Sequence, residues 1–204
     1  MKKVYLATLV VMVAGLIAMP SVAQANLLTN PGFEDGFTGW SKVGEVRVET
    51  WDPHSGGHVA AISATWYDPP TGTASQQVSV TEGLPYVYNL WGLGDAATTA
   101  YFMKLKWYNA SNSLLREDSQ QISIDDTAWS LHTLTATAPT GSSYVEVAFG
   151  NDVDAPCGKF DDVSFEAIPE PTSLLLLGTG LVGLFGFARR KRRVSSKSRM
   201  ERRG

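Results

Sequence analysis

Cysteine is nearly absent from this chain: Cys157 stands alone among 204 residues. An intramolecular disulfide framework and a multi-cysteine zinc site are therefore excluded. Histidine is almost as scarce, so imidazole chemistry has only His54, His58 and His132 to draw on. The patterns G-x-S-x-G, H-E-x-x-H and the phosphate-binding P-loop do not occur, and with them go the best-marked hydrolase and nucleotide sites. Positive charge is scarce in the middle of the chain, where residues 26–168 hold 6 Lys/Arg against 18 Asp/Glu. A body of net −12 repels phosphate backbones, which argues against nucleic acid as a partner. The overall charge of −3 hides this, because residues 189–204 carry nine Lys/Arg and one Glu. At 44% hydrophobic residues the chain is too apolar to be wholly disordered.

What is present begins with two apolar segments, one at each end. Lys2 and Lys3 precede an uncharged apolar run over residues 4–18, Pro20 breaks it, and Ala23-Gln24-Ala25 follows. This is the layout of a secretory leader cut after Ala25, leaving Asn26 as the mature start. The other reading is an uncleaved anchor, against which the short run and the small-x-small pattern both argue. At the far end, residues 173–188 run SLLLLGTGLVGLFGFA without a charge, and Arg189-Arg190-Lys191-Arg192-Arg193 closes them. As a helix this run spans about 24 Å, short of a hydrocarbon core of about 30 Å, a mismatch that local thinning and snorkelling arginines absorb. The basic cluster marks the cytoplasmic side, so the body faces outward.

Pro169-Glu170-Pro171, the Gly-rich apolar run and the basic stop stand in a fixed order over residues 168–193. Together they resemble the PEP-CTERM sorting signal of exported proteins in exopolysaccharide-producing Gram-negative bacteria. The resemblance implies recognition by an exosortase, a membrane cysteine peptidase that cuts near the Pro-Glu-Pro motif. Passage through the inner membrane and delivery to the cell surface or extracellular matrix follow from it. Two prolines keep Glu170 out of regular helix, so an extended peptide is offered to the peptidase. A plain tail anchor with a Pro-rich linker is the alternative. Residues 194–204 lengthen the basic tail beyond the family's usual form without disturbing the motif.

Between the ends, residues 26–167 read as β structure. Runs rich in β-branched and aromatic residues lie at 73–80, 84–91, 100–108, 129–138, 143–149 and 159–166. Turn clusters separate them at 81–83, 92–95, 109–113, 139–141 and 151–158. Alternation puts Tyr101, Met103, Leu105 and Trp107 on one face and Lys104 and Lys106 on the other; Val145, Val147 and Phe149 also share a face. The spacing predicts one all-β antiparallel sandwich.

The body also carries an ordered set of short motifs: Asn30-Pro31-Gly32-Phe33-Glu34, Gly39-Trp40, Ser55-Gly56-Gly57-His58, Gln76-Gln77-Val78, Trp107-Tyr108-Asn109, and Phe160-Asp161-Asp162-Val163. The set resembles the jelly-roll carbohydrate-binding modules of the galactose-binding-domain-like superfamily, close to the family 4, 9 and 22 type. That resemblance implies a structural calcium ion held by Glu34 and one of Asp161 or Asp162, of which Asp162 is favoured, with main-chain carbonyls near residues 55–58. Calcium asks for six to eight such oxygens. Solvated acidic side chains or turn caps are the competing explanation.

The resemblance further implies a glycan, with the cell's own exopolysaccharide as one candidate. Sugar rings stack on aromatic faces, and Trp51, Trp66, Tyr67 and Trp91 sit in or beside the Pro-rich stretch 50–73, which reads as exposed loop. Trp40, Trp107 and Trp129 read as core. The four candidates are equally readable as hydrophobic plugs beneath loops. The pairs Glu117-Asp118 and Asp125-Asp126 read as solvated turn residues, so a two-carboxylate glycosidase has little support. The expectation is a non-catalytic exported module that binds polysaccharide, or a structural, adhesive protein on the same fold with a protein partner and no sugar.

Overall fold

The computed structural model describes residues 25–62, 71–153 and 155–168. They belong to one compact unit, Gln24–Ile168. The segment expected to be a leader, with Ala23, the candidates Trp66 and Tyr67, and the tail with Pro169, Glu170, Pro171 and Arg189 to Arg193 lie outside the described residues.

Ten strands run in order: β1 (Ser41–Gly44), β2 (Val46–Glu49), β3 (Val59–Ile62), β4 (Gly72–Ser79), β5 (Pro85–Gly94), β6 (Thr98–Tyr108), β7 (Leu114–Ile124), β8 (Ser130–Thr137), β9 (Tyr144–Asn151) and β10 (Gly158–Ala167). No helix occurs among the described residues. A front sheet has the order β1-β4-β9-β6-β7 and a back sheet the order β2-β3-β10-β5-β8. All pairings are antiparallel. The two sheets form the expected sandwich.

The core follows from period-two alternation. Met103, Leu105 and Trp107 from β6, with Val145, Val147 and Phe149 from β9, are fully buried and meet Tyr88, Leu90, Phe160 and Phe165 of the back sheet. Two tyrosines tie the sheets together by their hydroxyls, Tyr88 donating to the Ala148 carbonyl at 3.2 Å and Tyr101 to the Ile62 carbonyl at 3.2 Å. The chain passes from front to back sheet at Gly44, where φ is 72°. A Cβ there would strike the Thr71 carbonyl, so glycine is required on both counts.

Several elements depart from the sequence reading. The stretch 50–73 is not all loop, because residues 59–62 form β3, with all four side chains buried. Residues 92–94 continue β5 rather than opening a turn. The longest surprise is β7, eleven residues of which most are exposed. It places Glu117 and Asp118 on an edge strand, not in a turn.

Candidate functional site

The backbone of β10 breaks its register between Asp161 and Ser164 against β5, and Asp162 takes a left-handed φ of 45°. Simple alternation would put Asp161 and Asp162 on opposite faces. The bulge overrides it, and both carboxylates turn to the same loop, residues 50–58. Asp161 Oδ2 accepts the His54 and Ser55 backbone N–H groups at 2.9 and 3.1 Å, and Oδ1 accepts the N–H of Asp162 at 2.7 Å. Asp162 receives His54 Nδ1 at 2.6 Å and the Ser55 hydroxyl at 2.8 Å. Asp161 is fully buried. Burial raises its pKa against the opposing pull of the Ser55 and Asp162 N–H groups.

Glu34 lies in a turn before β1 and meets the other end of the loop. Its Oε1 accepts the Gly57 and His58 N–H groups at 2.8 and 3.1 Å, while Oε2 meets His58 Nδ1 at 3.1 Å. The His58 side-chain contact and these N–H groups hold its carboxyl below the usual range. Gly56 has a φ of 61°, and a Cβ on it would collide with the Glu34 carboxyl.

The donors of a calcium site can now be weighed. The Oδ1 atoms of Asp161 and Asp162 both lie 3.6 Å from where a Gly32 Cβ would stand. Two carboxylate oxygens converging on bare backbone suit a hard cation. Glu34 holds the other end of the loop through Gly57 and His58. Among the described residues no three His, Cys, Asp or Glu side chains gather as a metal-holding group. The aspartate pair is the part of the expected donor set that the structure brings together.

The aromatic candidates of the back sheet have separate fates. Trp91 lies on the outward face of β5, but His54 stacks on it with centroids 4.1 Å apart and an interplanar angle of 19°. One Trp91 face is thus already covered by the loop. Trp129 was expected in the core; it is half-buried and stands edge-on to His54 at 5.4 Å. Trp51 is 63% exposed. Trp40 and Trp107 are buried as expected, and the Trp107 indole donates to Asp118 at 2.7 Å.

A second face escaped the sequence reading altogether. Because Trp107 and Leu105 point inward, Tyr108, Lys106 and Lys104 point outward from the front sheet. Register sets Tyr108 opposite Tyr144, and Lys106 opposite both Glu146 and Glu117, with Gln77 beyond Glu146. The Tyr108 and Tyr144 rings stack at 5.0 Å and 10°. Tyr144 is steadied by its hydroxyl, which donates to Asn112 Oδ1 at 3.1 Å. Lys106 reaches Glu146 at 3.1 Å, and Lys104 lies 3.7 Å over the Phe102 ring while pairing with Asp152 at 2.7 Å. Burial, and next the Glu146 charge, raise the Tyr108 pKa, so its phenol stays a hydrogen-bond donor. Between these groups the floor is small: Ser75, Ala148 and Ser119 share one row with Lys104. Ring faces flanked by hydroxyl, amide, ammonium and carboxylate groups, with small residues between, make a surface able to receive a ring rich in C–H and O–H groups.

Cys157 carries no sign of nucleophilic use. Burial, with the Asp95 charge next, pushes its thiol up to about 11, so the reactive thiolate is scarce near neutral pH.

Comparison with known proteins adds the following. Residues 167–193 match the PEP-CTERM protein-sorting motif. No curated protein matches the chain. Among solved structures, the enzymatically active domain of tailspike protein 4 from bacteriophage CBA120 superposes with a TM-score of 0.59 at 13% identity, over 70% of this chain and 21% of that one. The chain thus spans about a fifth of the length of that tailspike domain. A family 16 carbohydrate-binding module, CBM-2, gives 0.56 at 19% identity, covering 69% of this chain and 99% of the module. The CBM22-1 xylan-binding domain of Xyn10C from Paenibacillus barcinonensis gives 0.55 at 16%, covering 74% and 99%. At these identities the likeness shows the fold: that of jelly-roll carbohydrate-binding modules.

Proposed function

We propose that this is an exported, non-catalytic surface or matrix protein whose sandwich binds polysaccharide through the outer face of the front sheet. The carrying observation is the stacked Tyr108–Tyr144 pair beside the Lys106–Glu146 bridge, on a face over which no described strand packs. The sorting motif supports export through a membrane-anchored intermediate, with exosortase as the processing enzyme and the surface of a Gram-negative cell as the destination. Several sandwich relatives are by name binding modules, which supports a binding role over a catalytic one. The body's excess of carboxylates favours a neutral glycan over a polyanionic one.

The aspartate pair of β10 would hold a calcium ion, with carbonyls completing its shell. Such an ion supplies positive charge beside the buried Asp161 and so fixes the loop 50–58.

The test is titration of the full-length chain in detergent with neutral soluble polysaccharides such as xylan and β-glucan. Tyr144→Ala should weaken binding about tenfold or more, equivalent to roughly 1.4 kcal/mol, and Tyr144→Phe should leave most of it. If the wild-type chain binds no neutral glycan, the sugar reading fails and the adhesive reading with a protein partner takes its place.

A further inference from the structure

Trp51 is the most exposed aromatic among the large exposed hydrophobics, at 63%, yet it is not loose. Lys159 lies beneath it, its ammonium 3.6 Å from the ring centroid. Phe160 points into the core, so its neighbour Lys159 points out of the back sheet. The Lys159 side chain is 4% exposed, and its Nζ stands 3.6 Å from Asp52 Oδ2 and 3.6 Å from Asp95 Oδ1. Those two carboxylates already answer the buried ammonium, so covering Lys159 does not account for the indole. One ring face is held against the lysine; the other face and the edge are left to solvent. Side chains around it are partly exposed acceptors, Asp52 at 56% and Asp95 at 45%.

An aromatic plate fixed in one orientation loses little freedom when a ring settles on it. We propose that Trp51 is a second glycan contact, with Asp52 and Asp95 accepting hydrogen bonds from sugar hydroxyl or amino groups. One ammonium between two carboxylates leaves a local charge of −1, and the body around it is acidic, so the contact takes neutral or amino sugars and refuses uronates. The Lys159 charge cannot rescue an anionic sugar, because the indole covers it.

This contact is on the outer side of the back sheet, whereas Tyr108 and Tyr144 face outward from the front sheet. One oligosaccharide cannot lie on both. The domain is thus bivalent and ties two polysaccharide strands together, an inference that rests on the front-face reading above. Two weak contacts on opposite faces make a cross-link without any added affinity at either one.

The experiment is titration of the full-length chain in detergent with three probes: cellohexaose, a chitosan hexamer and trigalacturonate. Binding stoichiometry is read alongside the turbidity of mixtures with a long neutral β-glucan. The wild-type chain should take two neutral or amino oligosaccharides and cloud the long polymer. Trp51→Ala should take one and leave the polymer clear, while Trp51→Phe keeps two. Tyr144→Ala should also take one, by loss of the other face. Unchanged thermal unfolding checks that each variant is folded, and Trp51→Leu, which keeps apolar bulk without an aromatic face and should also take one, stands in should the Ala variant fail. A wild-type stoichiometry of one that Tyr144→Ala abolishes and Trp51→Ala spares overturns the second contact alone. Trigalacturonate bound as tightly as cellohexaose overturns the charge argument. Failure to bind any of the three overturns both faces together.

Discussion

The loop 50–58 should come loose when Asp161 loses one oxygen's charge. Three backbone N–H groups depend on this side chain, those of His54, Ser55 and Asp162. In Asp161→Asn the amide NH2 must replace one carboxylate oxygen. Pointed at the loop it sets donor against the two donors of His54 and Ser55; pointed the other way it opposes the N–H of Asp162. Each unmet buried group costs about 1–3 kcal/mol, and neutralising a buried carboxylate returns part of that. The cheaper orientation leaves one N–H unmet, so a net loss of about 1–3 kcal/mol follows, which in a domain of this size lowers Tm by roughly 3–10 °C. The assay is thermal unfolding of the full-length chain in detergent, with a chelator present to remove any cation effect. Indole fluorescence at 25 °C should change as well, because His54 leaves the Trp91 face when its anchor goes. A variant that melts within a degree of the wild type, with unchanged fluorescence, would refute the idea that this carboxylate holds the loop.

Three further outcomes are expected. Calcium at about a hundredfold over its dissociation constant should stabilise the chain by about 2.7 kcal/mol, so Tm rises by several degrees and returns on chelation; Asp162→Asn should abolish the rise, and no response in the wild type would remove calcium from the account. Burial holds the His132 pKa below the ordinary value of 6.5, so the unfolded chain takes up this proton first. Stability contributed by the neutral imidazole is therefore present above pH 6.5 and is lost as pH falls towards the folded value. Denaturant titrations at pH 7.5 and 5.5 should show a smaller drop in His132→Gln than in the wild type; equal drops would contradict it. Replacing Gly56 by alanine should destabilise through both its left-handed φ and the collision with Glu34, by about 1 kcal/mol or more in a urea melt, and a neutral result would show that the Glu34 contact gives way freely.

The parts legible in sequence were those where burial repeats with period two. Met103, Leu105 and Trp107, with Val145, Val147 and Phe149, announce β6 and β9 because each presents one apolar face to a single core. Strand β7 announces nothing, since LLREDSQQISI sits at a sheet edge and is mostly wet. Strand β3 is hidden for the opposite reason: VAAI is buried on both faces and too short to show a period. The aspartates of β10 were found as candidates, but their convergence depends on a bulge that no pattern in the sequence marks. The front face was missed because Tyr108 and Tyr144 are far apart in the chain. Lys104, Lys106 and Glu146 read singly as ordinary solvated charges, and only the β6–β9 register assembles them.

The claim on which the rest stands is that this sandwich is cargo carried between two addresses. Intact mass of the protein recovered from the cell surface reads both at once. The account predicts a chain beginning at Asn26 and lacking the segment after Pro169-Glu170-Pro171. A full-length chain of 204 residues found in the cytoplasm, with both ends uncut, would contradict it.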